Sequence, residues 1–295
     1  MFKLRGVVPP MITPFDLDGK LDLAALETLV EYLAERVDGL YICGSYGSGP
    51  LMKAEERKAV AEVCVKTVNR RIPVIAHTGS ASSCETVELT RHAVEIGCQA
   101  VAAVGPYYYH HGDDALLAFY GAMLEAVPRE FPVYLYHNPK FSGYGISLDV
   151  LKALGERGLR GIKDATFDIL TFATYMRELA AAGMDIVLGT EAMWLPACAL
   201  GAEAYIPGLG NAFPEICRTM WQQGVDGQLA ACRETQFTVN RLRDVMYLAR
   251  STQLAVYAMA AIRGIVKCYP RGPFVPASPE ETRRIEQELV KLGVL

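Results

Sequence analysis

At 295 residues, 51% hydrophobic and 21% charged, the chain has the composition of a globular protein with a sizeable core. A net charge of −4 with no basic stripe removes the electrostatic case for nucleic acid as a partner. No apolar run reaches the roughly 18–20 residues of a membrane span, and the opening MFKLRGVVPPMITPF lacks the apolar core and cleavage site of a secretory signal.

A cytoplasmic location is therefore expected. The eight cysteines contain no C-x-x-C pair, and the five histidines show no ligand spacing. Free thiols and no protein-bound metal follow as expectations.

In chain order, short apolar runs alternate with amphipathic stretches as far as residue 210. Strands are predicted at 6–12, 39–44, 73–78, 100–105, 132–136, 159–163, 185–188 and 204–207. Each run is continuously apolar, the pattern of a parallel strand covered on both faces. Helices are predicted between them at 23–36, 54–69, 83–96 and 171–181. Leu23, Leu26, Leu29, Val30 and Leu33 keep a 3.6-residue period. Ser83 and Thr86 precede one periodic run and Ser147 another, as helix starts require.

Eight strands alternating with helices predict an α/β fold, a TIM (β/α)8 barrel. A doubly wound open sheet is the competing fold, weakened because no G-x-G-x-x-G follows the first strand. Beyond residue 211 the pattern is helical, near 212–223, 226–248, 252–267 and 279–293. The barrel with its active site is expected to occupy 1–223, with 224–295 a C-terminal helical extension.

Reactive groups of a TIM barrel come from the C-terminal ends of its strands. That filter leaves Gly44-Ser45-Tyr46-Gly47-Ser48-Gly49 after strand two and Tyr107-Tyr108-Tyr109 after strand four. It leaves Tyr136-His137-Asn138-Pro139 at strand five and Lys163-Asp164-Ala165-Thr166 at strand six. Gly189-Thr190-Glu191 and Ile206-Pro207-Gly208 complete it. Of ten lysines, Lys163 alone ends an apolar strand. Burial there lowers its pKa and frees the amine to attack a carbonyl. The competing reading is a lysine paired with Asp164 or Glu191 to satisfy its charge. Tyr136 offers a phenol for proton transfer or is simply a barrel-lining tyrosine. The GSYGSG turn presents N–H groups suited to a carboxylate, although an ordinary βα turn has the same composition.

These residues resemble the dihydrodipicolinate synthase / N-acetylneuraminate lyase family of class I, pyruvate-handling lyases. The resemblance runs from GVVPPMITPF at 6–15 to RGPFVP at 271–276. It is carried by G-S-Y-G at 44–47, VIAHTGSASSCETVELTRHAVEIG at 74–97, GPYYY at 105–109, YHNP at 136–139 and GIKDAT at 161–166. It implies that Lys163 forms the imine and Tyr136 acts as acid and base. Ser45, with the N–H groups of Ser45 and Tyr46, is then expected to hold the carboxylate of the 2-oxo acid. Tyr108 matches a tyrosine inserted into a neighbouring subunit's site, which implies a homotetramer built from dimers, and with Ser45 and Tyr46 it is expected to support the catalytic proton relay. Gly44, Gly47, Gly189 and Gly208 fall in the substrate-binding loops. Ile206 matches a position whose backbone lies near bound pyruvate. Phe141, Thr166, Thr190 and Glu191 are expected to shape the distal pocket. No metal or organic cofactor is implied, since the imine itself is the electron sink.

Two departures bear on the substrate. Many members carry two adjacent hydroxyl residues and a glutamate where this chain has Ser45-Tyr46 and Ser48, which leaves open whether the Tyr46 phenol stands in. Dihydrodipicolinate synthases carry an arginine at the position of Phe141, which cannot make that charge-assisted contact. Sialic acid lyases carry an Asp-Glu pair where this chain has Thr190-Glu191. The leading reading is an aldolase that joins pyruvate to an aldehyde, or cleaves a 4-hydroxy-2-oxo acid of the N-acetylneuraminate or 2-keto-3-deoxy sugar acid type. The alternative is a keto-deoxy sugar-acid dehydratase using the same imine. Dihydrodipicolinate synthesis and a non-catalytic 2-oxo acid binding protein complete the set.

Overall fold

The computed structural model describes residues 2–295. Eight parallel strands curl into a barrel: β1 (Gly6–Val7), β2 (Leu40–Ile42), β3 (Val74–His77), β4 (Ala100–Val104), β5 (Val133–His137), β6 (Gly161–Asp164), β7 (Asp185–Leu188) and β8 (Ala204–Tyr205). Consecutive strands pair from β2 to β8, and β8 pairs with β1. Between β1 and β2 the sheet closes through Pro10 opposite Tyr41, with Met11 N–H donating to Tyr41 O and Tyr41 N–H to Pro9 O. Two adjacent prolines lack N–H groups, so the regular part of β1 ends well short of residue 12. Cys43 turns to φ 57° and ends β2 before residue 44.

Helices follow each strand. The first three are α1 (Leu23–Ala34), α2 (Ala54–Val68) and α3 (Ser83–Glu95). Next come α4 (Asp113–Glu125), the short α5 (Pro139–Ser142), α6 (Leu148–Glu156) and α7 (Ile169–Tyr175), and then α8 (Trp194–Ala199). Local chemistry sets their starts. The Asp22 carboxylate caps α1 by accepting Ala25 N–H, Ser147 caps α6, and Asp168 caps α7 ahead of the predicted residue 171. Four more helices, α9 (Pro214–Val225), α10 (Leu229–Met246), α11 (Thr252–Ile262) and α12 (Pro279–Lys291), complete the chain. None of the helices among the described residues is long and apolar enough to cross a membrane.

Alternation along the strands divides the core in two. One set fills the space between strands and helices, and includes Leu29, Val101, Leu135, Ile162 and Leu188. The other fills the barrel itself: Val8, Tyr41, Ile75, Ala102, Tyr134, Val187 and Ile206. At the barrel floor the Tyr134 hydroxyl donates to Asp185 Oδ2 at 2.6 Å, and Leu4 N–H donates to the same oxygen at 2.8 Å. The C-terminal helices are tied down by polar contacts. Tyr257 Oη donates to Thr13 O at 2.7 Å, and Arg271 grips both oxygens of Glu56 at 2.7 and 2.6 Å.

Gly161 opens β6 where this interior leaves no room for a side chain. A Cβ there lies 2.2 Å from Asp185 O and 2.6 Å from a Tyr134 ring carbon. Gly161→Ala is therefore expected to destabilise the fold by about 2 kcal/mol or more. Gly145→Ala, where a Cβ meets nothing within 4 Å, is expected to stay within about 0.5 kcal/mol of the parent. Urea midpoints of the two variants check this.

Candidate active site

Tyr136 and Lys163 are register partners on β5 and β6. Their shared parity points both side chains into the barrel, at its C-terminal end. Lys163 is only 4% exposed. Its Nζ lies 3.9 Å from the ring centroids of both Tyr41 and Tyr136. The ion-pair reading fails on geometry. Asp164 points to the opposite face of the strand and accepts Thr166 N–H at 3.0 Å, while Glu191 pairs with Arg243. No carboxylate among the described residues reaches Lys163. Two aromatic faces favour the charged ammonium by a modest amount, but loss of water outweighs them and pushes the Lys163 pKa down to about 7. Near neutral pH a large share of the amine is free, against on the order of one in a thousand for an ordinary lysine.

The Tyr136 phenol is buried and accepts a hydrogen bond from Asn138 Nδ2 at 2.8 Å. Burial raises its pKa, opposed by the hydrogen bonds of Asn138 and Ser45, so it remains a proton donor at neutral pH. His77, at the end of β3, packs edge-on against Tyr136 with ring centroids 6.1 Å apart. Its Nε2 accepts Val104 N–H at 3.0 Å, and burial holds its pKa far below the usual value. The imidazole is neutral, with its proton on Nδ1.

The loop after β2 lies across the barrel mouth from this pair. Gly44 permits it to pack closely, because a Cβ there meets the Tyr41 ring at 2.7 Å. The amides of Ser45 and Tyr46 have no backbone acceptor among the described residues, so both stay available to an anion. Ser45 sits beside the Tyr136 phenol, whereas Tyr46 turns toward Gly208 and Glu191. A Cβ at Gly208 collides with the Tyr46 ring, at 2.5 Å. Of the relay candidates on this loop, Ser45 is the one hydrogen-bonded to Tyr136.

A cavity of about 50 Å3 lies at this point, bordered by Ser45, Tyr136, Lys163, Thr190, Ile206 and Arg243. Gly189, Glu191 and Gly208 also border it. An adjoining cleft of about 250 Å3 shares Ser45 and is walled by His77, Val104, Tyr107, Phe141 and Phe274. Thr166 borders neither space. Its N–H and hydroxyl close the turn to Asp164 and Asp168, and Phe167, at φ 59°, faces the cavity instead. Tyr108 is 87% exposed at φ 83°, its ring stacked edge-on against Tyr109 and outside its own site. Gly47 lies under the loop, where a Cβ meets Met11 O at 2.9 Å. A larger groove elsewhere, beside α1 and α9, is lined by Arg36, Arg218 and Arg263, each paired with a carboxylate.

Glu191, expected to shape the distal pocket, borders the cavity with its carboxylate already engaged. Its Oε2 accepts Gly208 N–H at 3.0 Å, and its Oε1 accepts Arg243 Nη1 at 2.7 Å. Gln236 Nε2 donates to the Glu191 carbonyl at 2.9 Å. Both Gln236 and Arg243 come from α10, and neither was singled out from the sequence. A signal existed: Cys232, Gln236, Val239, Arg243 and Met246 share one helical stripe, so two polar residues interrupt an otherwise apolar face.

Known proteins share the fold and the sequence pattern of this chain. The model of the dihydrodipicolinate synthetase family matches residues 3–292. A 4-hydroxy-tetrahydrodipicolinate synthase of Phenylobacterium zucineum is 33% identical, over 93% of this chain and 92% of its own length. The crystal structure of dihydrodipicolinate synthase from Aquifex aeolicus superposes with a TM-score of 0.92 at 26% identity, covering 99% of both chains. YagE, a prophage protein of the same family from E. coli K12 solved in complex with pyruvate, gives 0.94 at 25% identity, again over 99% of both chains. The chain belongs to the dihydrodipicolinate synthetase family, and is an enzyme of its class I lyase and aldolase type.

Proposed function

We propose that the protein is a pyruvate-dependent aldolase that works through an imine on Lys163. The observation that carries the reading is an unpaired, desolvated amine in register with a buried phenol. The pyruvate bound to the related YagE supports the choice of 2-oxo acid. Neutral Lys163 attacks C2 of pyruvate, and loss of water leaves the imine. The carboxylate sits on the Ser45 hydroxyl and the amides of Ser45 and Tyr46. The Tyr136 phenol protonates the departing hydroxyl, and its phenolate then takes a C3 proton to give an enamine, whose C3 bonds to the carbonyl carbon of an aldehyde. Tyr136 protonates the resulting C4 oxygen, and water releases the 4-hydroxy-2-oxo acid. The reverse sequence cleaves the same bond. No metal or organic cofactor has a place in this scheme.

A homotetramer is part of the reading. Tyr108 is a large exposed aromatic held in a left-handed backbone conformation, costly to keep unless something uses it. A neighbouring subunit's site is the proposed recipient. The eight unpaired cysteines suit a reducing cytoplasm.

Intact mass after pyruvate and borohydride tests the scheme. The parent is expected to gain one reduced pyruvate and Lys163→Ala none. Tyr136→Phe is expected to keep the adduct but lose about 10²–10⁴-fold in turnover. Assays on 4-hydroxy-2-oxo acids should release pyruvate; release of water with the carbon chain intact marks the keto-deoxy sugar-acid dehydratase instead. A folded parent that gains no adduct at saturating pyruvate sinks the imine.

A further inference from the structure

We infer that Arg57 is a positioning residue for the 2-oxo acid: its buried, unpaired positive charge offsets the substrate carboxylate from behind the end of β3. The inference rests on the imine reading above and concerns the first substrate, not the aldehyde. Arg57 lies in the first turn of α2 and is 4% exposed. Its Nη2 donates to His77 O at 2.6 Å and its Nη1 to Gly79 O at 3.2 Å, while Nε has no acceptor. No carboxylate among the described residues pairs with it. The acids of α2 are engaged elsewhere: Glu55 with Lys58, Glu56 with Arg271 and Glu62 with His92. Glu85, in the first turn of α3, takes the Ser80 hydroxyl at 2.5 Å.

Burying a charge without a partner is unfavourable, and a neutral donor serves a carbonyl group as well. The charge itself therefore needs an account. Among the described residues, the buried side-chain N and O atoms that lack a hydrogen bond are Tyr41 Oη, Arg57 Nε, His77 Nδ1 and Asn138 Oδ1. All four belong to the shell around Lys163 and Tyr136. Tyr41 flanks the amine, Asn138 holds the phenol, His77 packs against the phenol ring, and Arg57 grips His77. Incomplete pairing confined to one place is the mark of a working site rather than of a loosely built fold.

Arg57 lines neither the cavity nor the adjoining cleft, so it acts through its field. Burial, and after it Arg57, hold the His77 imidazole far below its usual pKa. Burial raises the Tyr41 phenol and the Cys43 thiol, and Arg57 opposes both shifts. The same residues close on the proposed carboxylate position. Cys43 leads into the loop whose Ser45 and Tyr46 amides are free, and its Sγ meets Arg57 O at 3.8 Å. His77 walls the cleft that shares Ser45. With Lys163 as the free amine and His77 neutral, this side of the mouth carries one uncompensated positive charge, which a monoanion cancels. Unit charges about 10 Å apart, at an effective dielectric constant of about 20, attract strongly enough for roughly tenfold in affinity.

The test compares pyruvate with pyruvamide, its uncharged amide, by the concentration of each that gives half-maximal borohydride trapping. Arg57→Gln is expected to weaken pyruvate by roughly tenfold and to leave pyruvamide within about twofold of the parent. Arg57→Lys, which keeps the charge, should recover most of that loss. A second route leaves Arg57 and its hydrogen bonds in place. The carboxylate of Cys43→Asp cancels the field of the guanidinium, so pyruvate should weaken as in Arg57→Gln, whereas the isosteric Cys43→Asn should behave as the parent. Both replacements tolerate the left-handed backbone at φ 57°. This pair decides the matter if Arg57→Gln does not fold. Equal losses on the two ligands in Arg57→Gln, or a pyruvate response that ignores the charge at position 43, would overturn the assignment of Arg57 and leave the imine intact. An absent pyruvate adduct in the parent would strike the imine reading and this inference with it.

Discussion

A lysine ammonium taken out of water needs a counter-charge, and the barrel supplies none to Lys163. Asp164 is turned into the helix layer by strand alternation, and Glu191 is already bound to Arg243. What surrounds the amine is two aromatic faces and the apolar interior of the barrel. The cheaper solution is to shed the proton. Burial, an ordinary requirement of folding, thereby leaves an amine that could attack a carbonyl without a base to activate it. The rest of the site depends on this. Tyr136 must be close enough to share protons and neutral enough not to rescue the ammonium, and burial keeps its phenol protonated.

The same economy governs the barrel mouth. Register places Tyr136 opposite Lys163, and the loop after β2 closes on them because Gly44 leaves room for the Tyr41 ring. The helical part contributes more than cover. Through Gln236 and Arg243, α10 grips Glu191 by its carbonyl and its carboxylate, and Glu191 in turn fixes Gly208 N–H. Removing the counter-charge from such a buried pair costs about 3–5 kcal/mol, so α10 and the barrel mouth are energetically one unit.

The strands were legible because both faces of each are buried, which leaves largely apolar runs, interrupted in β6 by Lys163 and Asp164. Their ends were less so. Pro9 and Pro10 remove donors within an apolar stretch, and Cys43 adopts a left-handed backbone that no propensity announces. Lys163, Tyr136 and Ser45 could be found because the fold restricts chemistry to strand ends. Tyr41 fell outside that reasoning because it lies inside a strand; His77 ends β3 and met the filter, but reads as an isolated histidine. At the turn after β6 the expected Thr166 is spent on closing the turn, and its neighbour Phe167 faces the cavity. A positive φ at Phe167 decides between adjacent residues, and the sequence carries no sign of it. Arg243 joins Glu191 across 52 positions, a contact set by how α10 docks rather than by any local pattern.

The most direct test of this account is the ionisation of Lys163 in the free enzyme. Lysines labelled with 13C at Cε can be followed by NMR through a pH titration, with Lys163→Ala to assign the resonance. The folded pKa is depressed, so the amine is free above it and protonated below it, and the resonance should titrate near pH 7. A Lys163 that titrates above about pH 9, like an ordinary lysine, would contradict the claim that burial alone sets the amine free.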